Sequence, residues 1–219
     1  MDGLANLQGF FRDILFTLPG IIIGMTIHEF SHGFAAYKLG DKTAKAEGRL
    51  SLNPLRHLDP VGILTLIIFR FGWAKPVNVS TAGFKNPKVD MALTAAAGPL
   101  SNLITAFVFT IAFVPLLLLQ HSAAAGVLQE IVANIIIINL SLGFFNMLPL
   151  PPLDGSKILG AFLPDNLYMK YLSLEKIGVV VLLGLIFFGV TGKIISPLIN
   201  ATFQGMYSIV SNIFLFFMK

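Results

Sequence analysis

Long apolar runs alternate with short polar stretches along the chain, and the run lengths set the first expectation. A helix needs about 20 apolar residues to cross the hydrocarbon core of a bilayer. Residues 14–39, 89–119, 127–148, 177–190 and 194–217 read as five spans, the fourth short and the fifth delayed by Pro197. A further run, VGILTLIIFRF at residues 61–71, is too short for a comfortable crossing and contains Arg70. Its Ile, Thr and Phe content favours strand. GRLSLN at 48–53 and KPVNVS at 75–80 alternate as strands do. Residues 46–82 are therefore expected to form a small β-hairpin region lying against or dipping into the membrane, with a sixth span as the alternative. The fold class that follows is an all-α polytopic membrane protein with about five transmembrane helices, in one domain over residues 1–219.

Composition narrows the class. The chain is 55% hydrophobic and 12% charged, with a mean hydropathy of +0.81. A soluble domain carries about 25% charged residues and needs them to face water. The absence of cysteine excludes disulfides and thiolate metal sites, so any transition metal here must be held by His, Asp or Glu. The net charge of +4 sits in loops beside apolar runs rather than on an aromatic-interleaved basic face, so nucleic acid is not an expected partner. The N-terminus lacks the basic region and cleavage pattern of a signal peptide.

The same charges orient the spans. Lys38, Lys42, Lys45, Arg49 and Arg56 follow the first, and Lys75, Lys85 and Lys88 precede the second. Residues 120–126 carry no Lys or Arg. The positive-inside rule then places residues 40–88 in the cytoplasm, 120–126 outside, the N-terminus outside and the C-terminus in the cytoplasm, with Lys193 dissenting.

The chemistry sits inside the first span. His28-Glu29-Phe30-Ser31-His32 is an HExxH pattern. Residues i and i+4 share one helix face, so both imidazoles can hold one zinc, with Glu29 beside them as general base. Each ionisable group at mid-span costs about 2.5–3.5 kcal/mol on insertion scales, and a divalent cation offsets that cost. The plain alternative is a polar helix–helix contact without metal.

A catalytic zinc takes three protein ligands. Ala35 and Lys38 stand where a metzincin has Gly and His, so that third ligand is missing. Glu47 and His57 lie in a basic cytoplasmic stretch, and His121 lies on the opposite side. Asp154 remains, after a Pro-rich turn in the run NMLPLPPLDG at residues 146–155. On turn chemistry alone, Asp154-Gly155 reads equally well as an ordinary turn outside the bilayer. Topology favours the ligand reading. His28 is ten residues before Lys38, about 15 Å below the cytoplasmic helix end. Asp154 follows the cytoplasmic end of the third span, in the same leaflet.

These residues resemble the site-2 proteases, the intramembrane zinc metalloproteases. HEFSH matches their HExxH, and residues 146–155 match their N-x-x-P-x-P-x-x-D-G element, whose Asp is the third zinc ligand. AGPLSN at 97–102 is similar to their A-G-P-x-x-N motif, and GWAKPV at 72–77 to a segment of the compact prokaryotic branch without PDZ or CBS domains. The resemblance implies a three-helix catalytic core within about residues 14–165, with additional transmembrane helices within about 172–217. It implies one Zn²⁺ per chain, a lipid bilayer around the chain, and transmembrane segments of other membrane proteins as substrates. Asn102 and Asn146 enter as candidates for bonding across helices, positioning substrate backbone or holding an oxyanion. Gly98 and Pro99, with Gly20-x-x-x-Gly24, read as close-packing positions. The competing classes are a metal transporter, which needs no base beside its ligands and often shows inverted repeats, and an inactive relative that binds helices without cutting.

Overall fold

The computed structural model describes residues 2–69, 72–119 and 122–218; Arg70 and His121 lie outside the described residues. The chain forms helices α1 (Asp2–Lys38), α2 (Thr43–Ala46), α3 (Pro60–Phe69), α4 (Pro87–Leu116), α5 (Ala123–Asn146), α6 (Asp154–Gly160), α7 (Asp165–Ser173), α8 (Glu175–Phe187) and α9 (Val190–Phe217). Two 3-10 turns, Pro54–Arg56 and Thr81–Gly83, break the connection between α2 and α4.

Local chemistry sets the long helices. Pro87 opens α4 at a position where a missing N–H costs nothing, and Asp90 Oδ2 accepts from Asn86 N at 3.0 Å. Ser122 caps α5, its Oγ accepting from Ala125 N at 3.1 Å. α1, α4 and α5 pack together as the central layer. Close approach depends on small residues. A Cβ at Gly20 would meet Ile138 Cδ1 at 2.9 Å, and one at Gly24 would meet Leu142 Cδ1 at 2.7 Å. The G-x-x-x-G pair thus seats α1 on α5, as its spacing predicts. Beyond them, α9 covers α4 and α5. Ile199, Phe203 and Met206 close over Ala106, Val132, Ile136 and Leu140.

Among the described residues, three helices are long and apolar enough to cross a membrane: Arg12–Lys38 within α1, α4 and α5. Much of their outward surface is apolar, with Leu15, Ile104, Val108 and Ile111 exposed, which fits a lipid-facing exterior. The expected fourth and fifth spans correspond to α8 and α9, which are bent by 73° at a short break. Among the described residues they count together as one further crossing at most on length and composition, so the expected five are not confirmed.

The β-hairpin expected over residues 46–82 is absent among the described residues, where no strand forms and a lone antiparallel bridge links Leu58 to Ala74. The reason lies in Asp59-Pro60. Asp59 Oδ1 accepts from Gly62 N at 2.8 Å, and Pro60 presets the first helical dihedral. This helix start outweighs the β-branched content of the run, which becomes α3. Asn53 similarly caps a 3-10 turn rather than ending a strand, accepting from Leu55 N at 3.0 Å.

Candidate active site in the helical core

HExxH lies in the C-terminal half of α1, and α4 passes directly across it. A Cβ on Gly98 would run into both imidazoles, meeting His28 Cε1 at 2.7 Å, so glycine is what lets α4 approach. Asp154 arrives from elsewhere in the chain. α5 ends at Asn146, the Pro-rich turn reverses the chain, and Asp154 is the first residue of α6. Gly155 permits the reversal, because a side chain there would strike the carbonyls of Met147 and Leu148.

The structure brings His28, His32 and Asp154 together, all three buried. The two Nε2 atoms are 3.0 Å apart, and each is 3.1 Å from Asp154 Oδ2. Their partners decide where the ring hydrogens sit. His32 Nδ1 is 2.8 Å from the Thr94 carbonyl, which can only accept. His28 Nδ1 is 2.6 Å from Asn102 Oδ1, also an acceptor. Both rings therefore donate through Nδ1 and turn an Nε2 lone pair toward the carboxylate. Three lone-pair atoms crowded into a triangle repel one another unless a cation lies among them. Ligand atoms of tetrahedral zinc, with bonds of about 2.0–2.1 Å, lie about 3.3 Å apart. The donor set and its spacing fit such an ion. Lys157 Nζ is 3.6 Å from Asp154 Oδ1, flanking the oxygen that faces away from the imidazoles.

Glu29 is next to these residues in the same cleft, which has a volume of about 400 Å³. Its Oε2 accepts from Val77 N at 2.8 Å. Val77 belongs to an irregular segment, 75–80, that crosses the cleft and is itself anchored. Lys75 N donates to His57 O at 2.8 Å and Ser80 N to Asp41 Oδ2 at 2.8 Å. Asp41 also accepts from Thr43 N at 2.9 Å and Thr43 Oγ1 at 2.5 Å. Burial opposes its charge, but these three hydrogen bonds together outweigh burial and hold the carboxyl below its ordinary range. Gly40, at φ +114°, lets the chain turn beneath Gly83. Asp41 and Gly40 went unnoticed in the sequence, where GDKT reads as a loop.

The two asparagines separate. Asn146 lines the cleft beside Asp154, its Nδ2 donating to Leu142 O at 3.0 Å. Asn102 is fully buried behind His28. Its Nδ2 hydrogens go to Gly24 O and Asn139 Oδ1, both at 3.0 Å. It has no donor left for an oxyanion, so of the roles expected for it the bond across helices is the one this geometry permits. On the far side of Glu29 and Asn146 the cleft opens into an apolar groove lined by Met25, Trp73, Leu142, Phe145, Leu182 and Ile186.

A membrane-embedded helical bundle enclosing a His–His–Asp cluster defines a class of membrane metalloproteins, and comparison with known proteins narrows it. Residues 114–190 match peptidase family M50, a stretch that includes Asp154 but not the HExxH helix. Over 201 residues the chain is 39% identical to "Putative zinc metalloprotease YwhC" of Bacillus subtilis, covering 89% of this chain and 90% of that one. Two proteins named "Putative zinc metalloprotease Rip2" are also similar. The one from Mycolicibacterium smegmatis is 29% identical over 150 residues, covering 64% of this chain and 54% of its own. The one from Mycobacterium tuberculosis is 31% identical over 144 residues, covering 63% and 53%. No solved structure matches the chain significantly. The chain belongs to peptidase family M50, the site-2 protease family of membrane zinc metalloproteases.

Proposed function

We propose that this chain is a zinc endopeptidase that hydrolyses peptide bonds within or near transmembrane segments of other membrane proteins. The observation that carries this reading is the triangle of His28 Nε2, His32 Nε2 and Asp154 Oδ2, with sides of 3.0–3.1 Å, inside an apolar bundle. Family membership and the names of the relatives support the same chemistry. They also speak against a transporter, as does a carboxylate held beside the ligands.

His28, His32 and Asp154 would hold one Zn²⁺. When bound, the ion supplies a Lewis acid that makes a water acidic enough to deprotonate near neutral pH and polarises the scissile carbonyl. The chain's own residues do the rest. Glu29 accepts a proton from the attacking water as its oxygen bonds to the acyl carbon, and returns that proton to the nitrogen as the C–N bond breaks. Val77 N–H occupies Oε2, which leaves Oε1 as the oxygen that carries the proton. His32 and His28 keep their Nδ1 hydrogens throughout, because both are spent on fixed acceptors. Asn146, at the wall shared by cleft and groove, is placed to donate to substrate backbone.

The substrate must present an unwound stretch, because an intact helix hides its carbonyls in hydrogen bonds. Its apolar part fits the groove beside Trp73 and Phe145, and its extended part lies along residues 75–80. The amides of Asn78 and Val79 and the carbonyls of the segment remain for an added strand, even though no hairpin forms among the described residues. The reading places the site in the cytoplasmic half of the bilayer. The test is cleavage of a single-span reporter in reconstituted vesicles by wild type and by Glu29→Gln, with zinc measured in both. Cleavage by wild type alone, with equal zinc, is expected; equal cleavage by both would remove Glu29 from the mechanism.

A further inference from the structure

Asn139 lies in the C-terminal half of α5, in the apolar run IIIINLSL, and is fully buried. A polar side chain at that depth is costly unless both its donor and acceptor are used. Its Nδ2 donates to Ile135 O at 2.8 Å. A backbone carbonyl only accepts, so this bond fixes which end of the amide is which. Oδ1 must face the other way, where it accepts from Asn102 Nδ2 at 3.0 Å. That contact, with Gly24 O as second acceptor, fixes the Asn102 amide in turn. Asn102 Oδ1 is thereby presented to His28 Nδ1 at 2.6 Å. The direction of one carbonyl on α5 is thus transmitted through two amides to a ring on α1. Flipping either amide would set oxygen against oxygen.

Resting on the reading above, we propose that Asn139 is a positioning residue of the metal site, acting through Asn102 to keep the Nδ1 hydrogen on His28 and its Nε2 lone pair toward the ion. Partners of this kind around metal-bound histidines change metal affinity by about 10–100-fold when removed. Asn139 belongs to no motif that marks the site, and it touches neither the cleft nor the ligands. Its influence runs entirely through hydrogen bonds. The relay also joins α1, α4 and α5, so the site forms only when all three helices are docked.

The test is zinc affinity of the full chain in detergent, read by competition with a chromophoric chelator, for Asn139→Leu, Asn102→Leu and the double variant. Asn139→Ser carries the same test in a shorter side chain that cannot reach Asn102. Thr110→Val is the control, since Thr110 is equally buried on α4 and bonds only Ala106 O at 2.8 Å. We expect about tenfold weaker zinc binding in both Asn139 variants, wild-type affinity in Thr110→Val, and no further loss in the double variant beyond Asn102→Leu. Wild-type affinity in both Asn139 variants, losses that multiply in the double variant, or an equal loss in Thr110→Val would each overturn the relay while leaving the zinc site standing. A wild-type chain that binds no zinc removes the site and the relay together.

Discussion

At the scale of single residues, the site was largely written in short patterns. His28, Glu29 and His32 fall within five consecutive positions, and helical periodicity alone puts them on one face. Asp154 required topology and the resemblance of residues 146–155 to a family motif as well, since no local spacing links it to the histidines. The position of Asn102 was not legible, because the motif that contains it does not say which way the side chain points around α4. Asn139 left a signal that went unused: a lone amide in an apolar run needs a partner. Glu29→Gln removes proton transfer while keeping shape, so turnover should fall by about 10²–10⁴-fold with zinc retained, as reporter cleavage and metal analysis would show. Asp41 makes a separate prediction. Its carboxyl is held below the ordinary value of 3.8, so it contributes stability above that pH and loses it as pH falls through the lower folded value. Asp41→Asn should melt below wild type at pH 7, and the gap should close below about pH 4; a gap independent of pH would separate the clamp from the charge.

Elements show where local chemistry overrode pattern. α1, α4 and α5 were legible because each is a long apolar run with small residues at the crossings. Residues 61–69 were misread because composition pointed to strand while Asp59-Pro60 specified a helix start. The segment 75–80 alternates as a strand would, yet its amides at 75, 77 and 80 are taken by His57, Glu29 and Asp41 rather than by a sheet. Val79 is free of those anchors, and proline there removes the backbone N–H of a residue that lines the cleft. Val79→Pro should abolish cleavage of the reporter while zinc stays bound; full cleavage would take this segment out of substrate binding. The α1–α4 crossing is testable through Gly98. Alanine there pushes a methyl into both imidazoles, an overpacking worth about 1–3 kcal/mol. Zinc affinity should drop in Gly98→Ala and stay unchanged in Gly126→Ala, where a Cβ meets nothing within 4 Å.

The whole molecule is a three-helix layer, covered on one side by α9, that encloses ionisable groups within an apolar body. That arrangement is consistent with a composition poor in charge: Glu29 and Asp154 have partners within the bundle, and most other charged residues lie in loops or toward helix ends. The lysine pattern predicts residues 40–88 and the C-terminus on the cytoplasmic face. The native chain has no cysteine, so single-cysteine variants report accessibility without background. A cysteine at Lys42 should react with an impermeant thiol reagent only in inverted vesicles, and one at Ser122 only in right-side-out vesicles; the reverse pattern would turn the molecule over. How α8 and α9 meet the bilayer was not readable, because the bend between them depends on Gly189 at φ +68° and not on hydropathy. The central claim is that α1 and the start of α6 share one ion. Metal analysis of the purified chain beside Asp154→Ala tests it most directly. One zinc per wild-type chain and its loss in the variant is the predicted result. A metal-free wild type, or zinc held equally by both, would contradict it.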